Sequence, residues 1–181
     1  MSTTTLSQHV WAIDPSHSEI QFKVRHMVIS TVTGSFGTFE AQLTSHGDDF
    51  EGAQVTFSAD IDSIQTGQAP RDGHLKSADF FDAANHPKLT FVSTSFTKTG
   101  EDTYEVSGDL TIRGTTLPVT LSAEYGGSNV DPYGNHRAGF ELSGKISRQA
   151  FGLVWSAVTE AGAIVVSDDV RLSINASMIR Q

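Results

Sequence analysis

Cysteine is absent from the 181 residues. That excludes disulfides, a thiolate nucleophile and Cys-bound zinc. Positive charge is scarce: 12 Lys and Arg stand against 21 Asp and Glu, for a net charge of −9. A nucleic-acid groove needs a basic stripe to displace counterions, so no nucleic-acid partner is expected. The same shortage argues against an electrostatic dock on an anionic membrane. Long apolar runs are missing as well. The stretch Ala161 to Val166 spans six residues, far short of the ~20 that a membrane helix needs, so no stable membrane insertion is expected. The opening Met1 to His9 carries neither the basic nor the apolar region of a secretory signal. The expected compartment is the cytoplasm, or the periplasm if a leader has been removed.

Signatures of catalysis are missing too. The seven histidines form no His-x-His or His-Glu-x-x-His pair, so no metal site is expected. There is no Gly-x-Ser-x-Gly elbow and no Gly-x-Gly-x-x-Gly turn. Gly34-Ser-Phe-Gly37 lacks the lysine of a phosphate loop and reads as a turn or bulge. No catalytic residue and no cofactor are expected.

What the chain does have is alternation. Ile20, Phe22, Val24 and His26 share one face, and Glu19, Gln21, Lys23 and Arg25 the other. The pattern recurs at Gly37 to Leu43, Ala53 to Ile61, Tyr104 to Ile112, Leu117 to Tyr125, Ala138 to Ile146 and Val170 to Met178, and less cleanly at Lys88 to Phe96. A period of two over such lengths marks strands with one buried face. Turn residues fall between them at Ser45–Asp49, Lys98–Asp102, Arg113–Gly114 and Gly126–Asn135, and such short links favour antiparallel neighbours. The expected fold is all-β: about eight antiparallel strands closed into a barrel, which leaves no sheet edge. One segment breaks the rule. Residues 71–81 read as a short helix with Asp72 as its N-cap and Leu75, Ala78 and Phe81 on one face. The expected division is an N-terminal arm over 1–10 and one barrel domain over 11–181.

The inward face carries the functional reading. Its small residues, Gly37, Ala41, Ala53, Ala59, Gly108, Ala123, Ala138, Gly144 and Ala176, either leave an apolar tunnel or merely permit tight coiling. An eight-stranded barrel is just wide enough to be filled by side chains or to hold one narrow ligand. Phe22, Val24, Phe39, Leu43, Phe57, Ile61, Leu110 and Leu142 are the expected walls of a tunnel for a linear apolar chain.

Several segments in order carry a family resemblance. They include Asp14-Pro-Ser-His-Ser18, Phe22-Lys-Val-Arg-His26, Gly34-Ser-Phe36, Ser63-Ile-Gln-Thr-Gly67, Arg71-Asp-Gly-His-Leu75, His86-Pro87, Gly108-Asp-Leu-Thr-Ile-Arg-Gly114 and Ile146-Ser-Arg148 with Phe151-Gly152. From about Trp11 to Met178 the chain resembles the YceI-like family of polyisoprenoid-binding, lipocalin-like proteins. The resemblance implies an extended antiparallel barrel holding a long-chain isoprenoid lipid, a polyprenyl species or an isoprenoid quinone. It also implies frequent homodimers and no established catalysis. Many family members carry a signal peptide, which this chain does not show.

Individual residues keep two readings each. His26, on the apolar face, is either a polar hook for a head group or a core histidine satisfied by backbone or water. Arg148 either pairs at a mouth with a phosphate or quinone oxygen or forms an ion pair with Asp168 or Asp169. Arg71, Asp72 and His74 serve as structural caps, as mouth contacts, or as acid–base groups. The loop Phe151-Gly-Leu-Val-Trp155 gates the tunnel, packs at a dimer contact or belongs to the core.

Overall fold

The computed structural model describes residues 7–27, 29–47, 49–156 and 166–181; the apolar stretch at 161–165 lies outside them. Alternating apolar and polar residues build the strands β1 (Gln8–Ile13), β2 (Glu19–His26), β3 (Ser30–Phe36), β4 (Phe39–His46), β5 (Asp49–Asp60), β6 (Ile64–Gln65), β7 (Lys88–Lys98), β8 (Thr103–Ile112), β9 (Thr115–Val130), β10 (His136–Ser147) and β11 (Val166–Arg180). The one α-helix among the described residues, α1, spans Ala69–Lys76. No helix among them is long and apolar enough to cross a membrane.

The strands form one closed antiparallel barrel of eight staves. Strands β1 and β2 both pair with β11, β1 near Met178–Arg180 and β2 from Asn175 to Val166, so they are two halves of one stave. Strands β3 and β4 are likewise two halves, pairing with β2 and β1 respectively. The chain then runs up and down through β5, β7, β8, β9 and β10, and β11 closes the ring onto β1 and β2. The first break has a local cause. Pro15 lacks the N–H a ladder needs, and the Asp14 carboxylate accepts from Ser16 N at 3.0 Å, folding Pro15–His17 into a 3-10 turn.

Three expectations shift. Strand β1 begins at Gln8, so the described end of the expected arm belongs to the barrel wall. The expected loop Gly126–Asn135 turns only from Asp131: β9 continues to Val130, paired with His136 across a bulge at Gly139. The helix over 71–81 is shorter and starts earlier. Gln68 sits at its N-cap and Pro70 in its first turn, where a missing N–H costs nothing. Asp72 is therefore inside the helix and caps nothing at that position. The helix stops at Ser77, whose backbone N–H and hydroxyl both turn back to the His74 carbonyl, an alternative to the helical ladder.

One end of the barrel is plugged with rings. Phe140 lies 4.9 Å from Phe50, 5.3 Å from Tyr125 and 6.2 Å from Phe96, and Trp11 and Tyr104 complete the cluster. Two of its polar atoms are paired: Trp11 Nε1 donates to Ser45 Oγ and the Tyr104 hydroxyl donates to Asp49 at 2.6 Å. Burial and that carboxylate push the Tyr104 pKa up to about 12.

The inner glycines are seats for neighbouring side chains. A Cβ on Gly34 would lie 2.2 Å from Cζ of Phe22, its cross-strand partner, and Gly108 and Gly144 meet Phe91 and Leu121 as closely. Gly34→Ala should therefore displace the Phe22 ring and cost about 1–3 kcal/mol, read as a lower urea midpoint. An unchanged midpoint would mean that the ring has free space to move into.

At the plugged end Arg137 bridges two carboxylates, reaching Asp14 at 2.8 Å and Asp131 at 2.7 Å. Those bonds hold both carboxyls below the ordinary value of 3.8, Asp14 with added help from His17. A lowered folded-state value contributes stability above the unfolded pKa and loses it as pH falls through the folded one. The stability gap between the wild type and Arg137→Gln should thus be widest near neutrality and narrow between about pH 5 and about pH 2. Urea titrations across that range check it, and a gap that stays constant would exclude the two carboxylates as the charge partners.

Candidate functional site

Inside the staves lies a cavity of about 540 Å³. Of the expected wall residues, Phe22, Val24, Leu43, Phe57, Leu110 and Leu142 border it, as do His26, Phe151 and Trp155. Phe39 and Ile61 do not. Strand β5 ends at Asp60, and the 3-10 turn Ile61–Ser63 takes Ile61 out of the inward alternation into the core. Phe39 is buried against Phe57, with ring centroids 6.5 Å apart, and Phe57 faces the cavity. Of the small inner residues only Ala41 and Ala176 border the space. Gly108 and Gly144 seat side chains, Ala53, Ala59, Ala123 and Ala138 are buried elsewhere, and Gly37 lies in the bend between β3 and β4.

Sequence reasoning missed several wall residues. Phe91 and Phe96 fall on either side of a bulge between Ser93 and Ser95 in β7, which shifts the alternation between them. Phe80 and Phe81 also border the cavity, from the non-repetitive stretch after α1. Leu172 and Ile174 were in plain view in β11, in register with Phe22 and Ile20.

Polar groups collect at the end opposite the ring plug. Gln68, Arg71 and His74 of the α1 region, Thr66, His26 at the end of β2 and Arg148 at the end of β10 all border the cavity there. The cover is made of α1 with its following turns, and of the segment 148–155. Arg113 joins the two by donating to the Phe80 carbonyl at 3.0 Å and the Gly152 carbonyl at 3.4 Å. Phe151 and Leu153 are buried under this cover, while Val154 is 62% exposed.

Arg148 forms neither ion pair expected of it. Its guanidinium donates to four main-chain carbonyls: Ser167 at 2.8 Å, Leu153 and Trp155 at 2.7 Å each, and Val166 at 3.0 Å. Asp168 instead accepts from the Ser147 hydroxyl and the Gln149 N–H, and Asp169 faces Lys145 at 3.7 Å. Burial pushes the Arg148 pKa below its ordinary value, opposed by the charge of Asp168. Only a planar fork satisfies so many acceptors at once.

Arg71 and Asp72 anchor the helix. The Asp72 carboxylate accepts from the backbone N–H of Thr66 at 2.9 Å and from its hydroxyl, and Arg71 donates to the Thr66 hydroxyl at 2.7 Å and carbonyl at 2.6 Å. Asp72 does not border the cavity; Arg71 does. The His74 ring stands edge-on to Phe80 and Trp155, with centroids 5.1 Å and 4.8 Å away. Its Nε2 lies 2.9 Å from the Asp79 carboxylate. No hydroxyl is hydrogen-bonded to either ring nitrogen of His74 among the described residues, and none of those residues form a metal-holding cluster of three or more acidic, His or Cys side chains.

Arg148→Met should strand several buried carbonyls and cost about 2–4 kcal/mol, and Arg148→Lys should recover little of it because an ammonium lacks the fork. Thermal unfolding of both variants checks this. Full recovery by lysine would mean that charge, not the four-carbonyl geometry, holds the segment.

The geometry has counterparts in known proteins. A family model described as the YceI-like domain matches residues 11–178. Protein YceI of Escherichia coli O157:H7 is 37% identical over 165 residues, covering 91% of this chain and 83% of its own. The crystal structure of the Campylobacter jejuni YCEI protein superposes with a TM-score of 0.75 at 30% identity, covering 88% of this chain and 91% of that one. A polyisoprenoid binding domain from Saccharophagus degradans has the same fold, with a TM-score of 0.65 at 16% identity over 94% of this chain and 98% of that one. With the barrel, the inserted helix and the family match extending over nearly all its length, this chain belongs to the YceI-like family.

Proposed function

We propose that this chain binds a linear isoprenoid lipid, a polyprenyl species or an isoprenoid quinone, inside the barrel and does not transform it. The observation that carries the reading is the separation of chemistry along the cavity: an apolar wall, with polar groups gathered at one end. A chain lipid with a polar head has the same separation. Burial of apolar area would drive uptake at roughly 25 cal/mol per Å² before ordering costs. His26, Arg71 and His74 border the mouth and would receive the head group. The solved Saccharophagus degradans domain, described as polyisoprenoid binding, supports the same class of ligand.

The specific observation that favours an enzyme is the His74–Asp79 pair, since an oriented histidine is a general base. Its geometry argues against that role. The pair lies at the surface, 37% and 53% exposed, and the ring is wedged between Phe80 and Trp155 with no hydroxyl bonded to it among the described residues. A useful base needs a partly desolvated site and a proton to take.

Native mass spectrometry of the purified chain, followed by organic extraction, tests the reading. The expected result is one bound species per barrel that extracts into solvent unchanged. Ala41→Trp, which adds an indole at a wall position, should abolish uptake while leaving the barrel folded. Turnover of prenyl phosphates, esters or quinones that disappears in His74→Ala with binding intact would overturn the non-catalytic reading.

A further inference from the structure

The cavity stops short of the plugged end. On two pairs of neighbouring staves the bordering residues end in register, Leu43 on β4 beside Val55 on β5 and Val106 on β8 beside Leu121 on β9, while on β11 they reach Met178. The next inward positions toward the plugged end are Ser45, Ala53, Tyr104 and Ala123, all buried and none bordering the space. At that level two rings of the plug face the cavity, Phe96 and Phe140. Phe50 and Tyr125 stand behind Phe140, and Tyr104 stands behind Phe96.

The depth of the space sets how much extended chain it takes. From Phe140 to Arg148 on β10, at ~3.3 Å per residue and a tilt of about 40°, the depth is about 20 Å. Four isoprene units place sixteen carbon–carbon steps in line, and bonds of ~1.5 Å in a zig-zag cover about 20 Å as well.

We propose that Phe96 and Phe140 form a ruler that limits the inserted chain to about four isoprene units, a limit that rests on the isoprenoid-binding reading. A longer chain leaves its remaining units outside the mouth, where they bury no further wall. Removing the Phe140 ring lowers the floor toward Phe50 and Tyr125, and removing the Phe96 ring lowers it toward Tyr104. A phenyl ring and an isoprene unit differ by one carbon, so the chain gains about one unit. Apolar voids of that kind stay dry and accept apolar guests.

The test uses all-trans prenyl alcohols of three, four, five and nine units, titrated into the full chain by competition with a fluorescent apolar probe. For the wild type, affinity should rise about tenfold from three units to four and then level off. In Phe140→Ala and Phe96→Ala the plateau should move to five units. Ala176→Leu, which adds bulk at the cross-strand partner of Phe140, should move it down to three and covers the case in which neither truncation folds. A wild-type affinity that climbs steadily to nine units would overturn the ruler, as would folded variants that keep the plateau at four. Failure of every alcohol to bind would instead overturn the isoprenoid-binding reading itself.

Discussion

Strand β11 is shared between two neighbours, and that sharing makes the molecule possible. It pairs with β10 from Asp169 to Ile179 and, along its other edge, with β2 and then β1. The ring is thereby closed through β1 and β11, while β3 keeps a neighbour on its second edge only at Ser35 and Phe36, where β6 pairs with it. Closure also acts on the interior. An apolar void forfeits dispersion contacts across it, and most protein interiors shrink to remove such a loss. A ring of ladders cannot shrink without breaking hydrogen bonds all round. The cavity persists because the wall is a closed hoop, with its glycine seats occupied by rings and leucines that stiffen it.

The two ends of the hoop are finished by different physics. The plugged end relies on ring packing, with Trp11 bonded to Ser45 and Tyr104 to Asp49. The covered end relies on cations donating to main-chain oxygens, Arg148 to four carbonyls and Arg113 to two. Backbone acceptors are independent of the side chains that carry them. The cover can therefore present varied residues to the cavity while its path stays fixed, a useful separation between scaffold and recognition.

How much of this was legible depended on whether a residue's neighbours were local. The staves and their inward faces could be read because Phe22, Val24 and His26, or Leu110 and Ile112, repeat at the period the backbone imposes. The barrel followed from one-sided strands with short links. Where the period slips, the reading slips: the β7 bulge hid the relation of Phe91 to Phe96, and the turn at Ile61 removed a residue that parity had placed in the wall. Arg148 was misassigned for a different reason. Charge complementarity pointed to Asp168 and Asp169, but carbonyls carry no signature in a sequence, and four of them converge only once β10 and β11 are folded together. Asp72 reads from the sequence as a helix-end residue, yet its partner, Thr66, precedes the helix altogether.

The ring plug has one more consequence. Rings close one end, so the way in that the described residues leave is at the other, beside α1 and the segment 148–155. On the proposed reading, a chain with a polar head would enter tail leading, and its head would rest beside those two segments. Anything that loaded or unloaded such a chain would then meet the head before the tail, and the hydrocarbon would be the last part to leave.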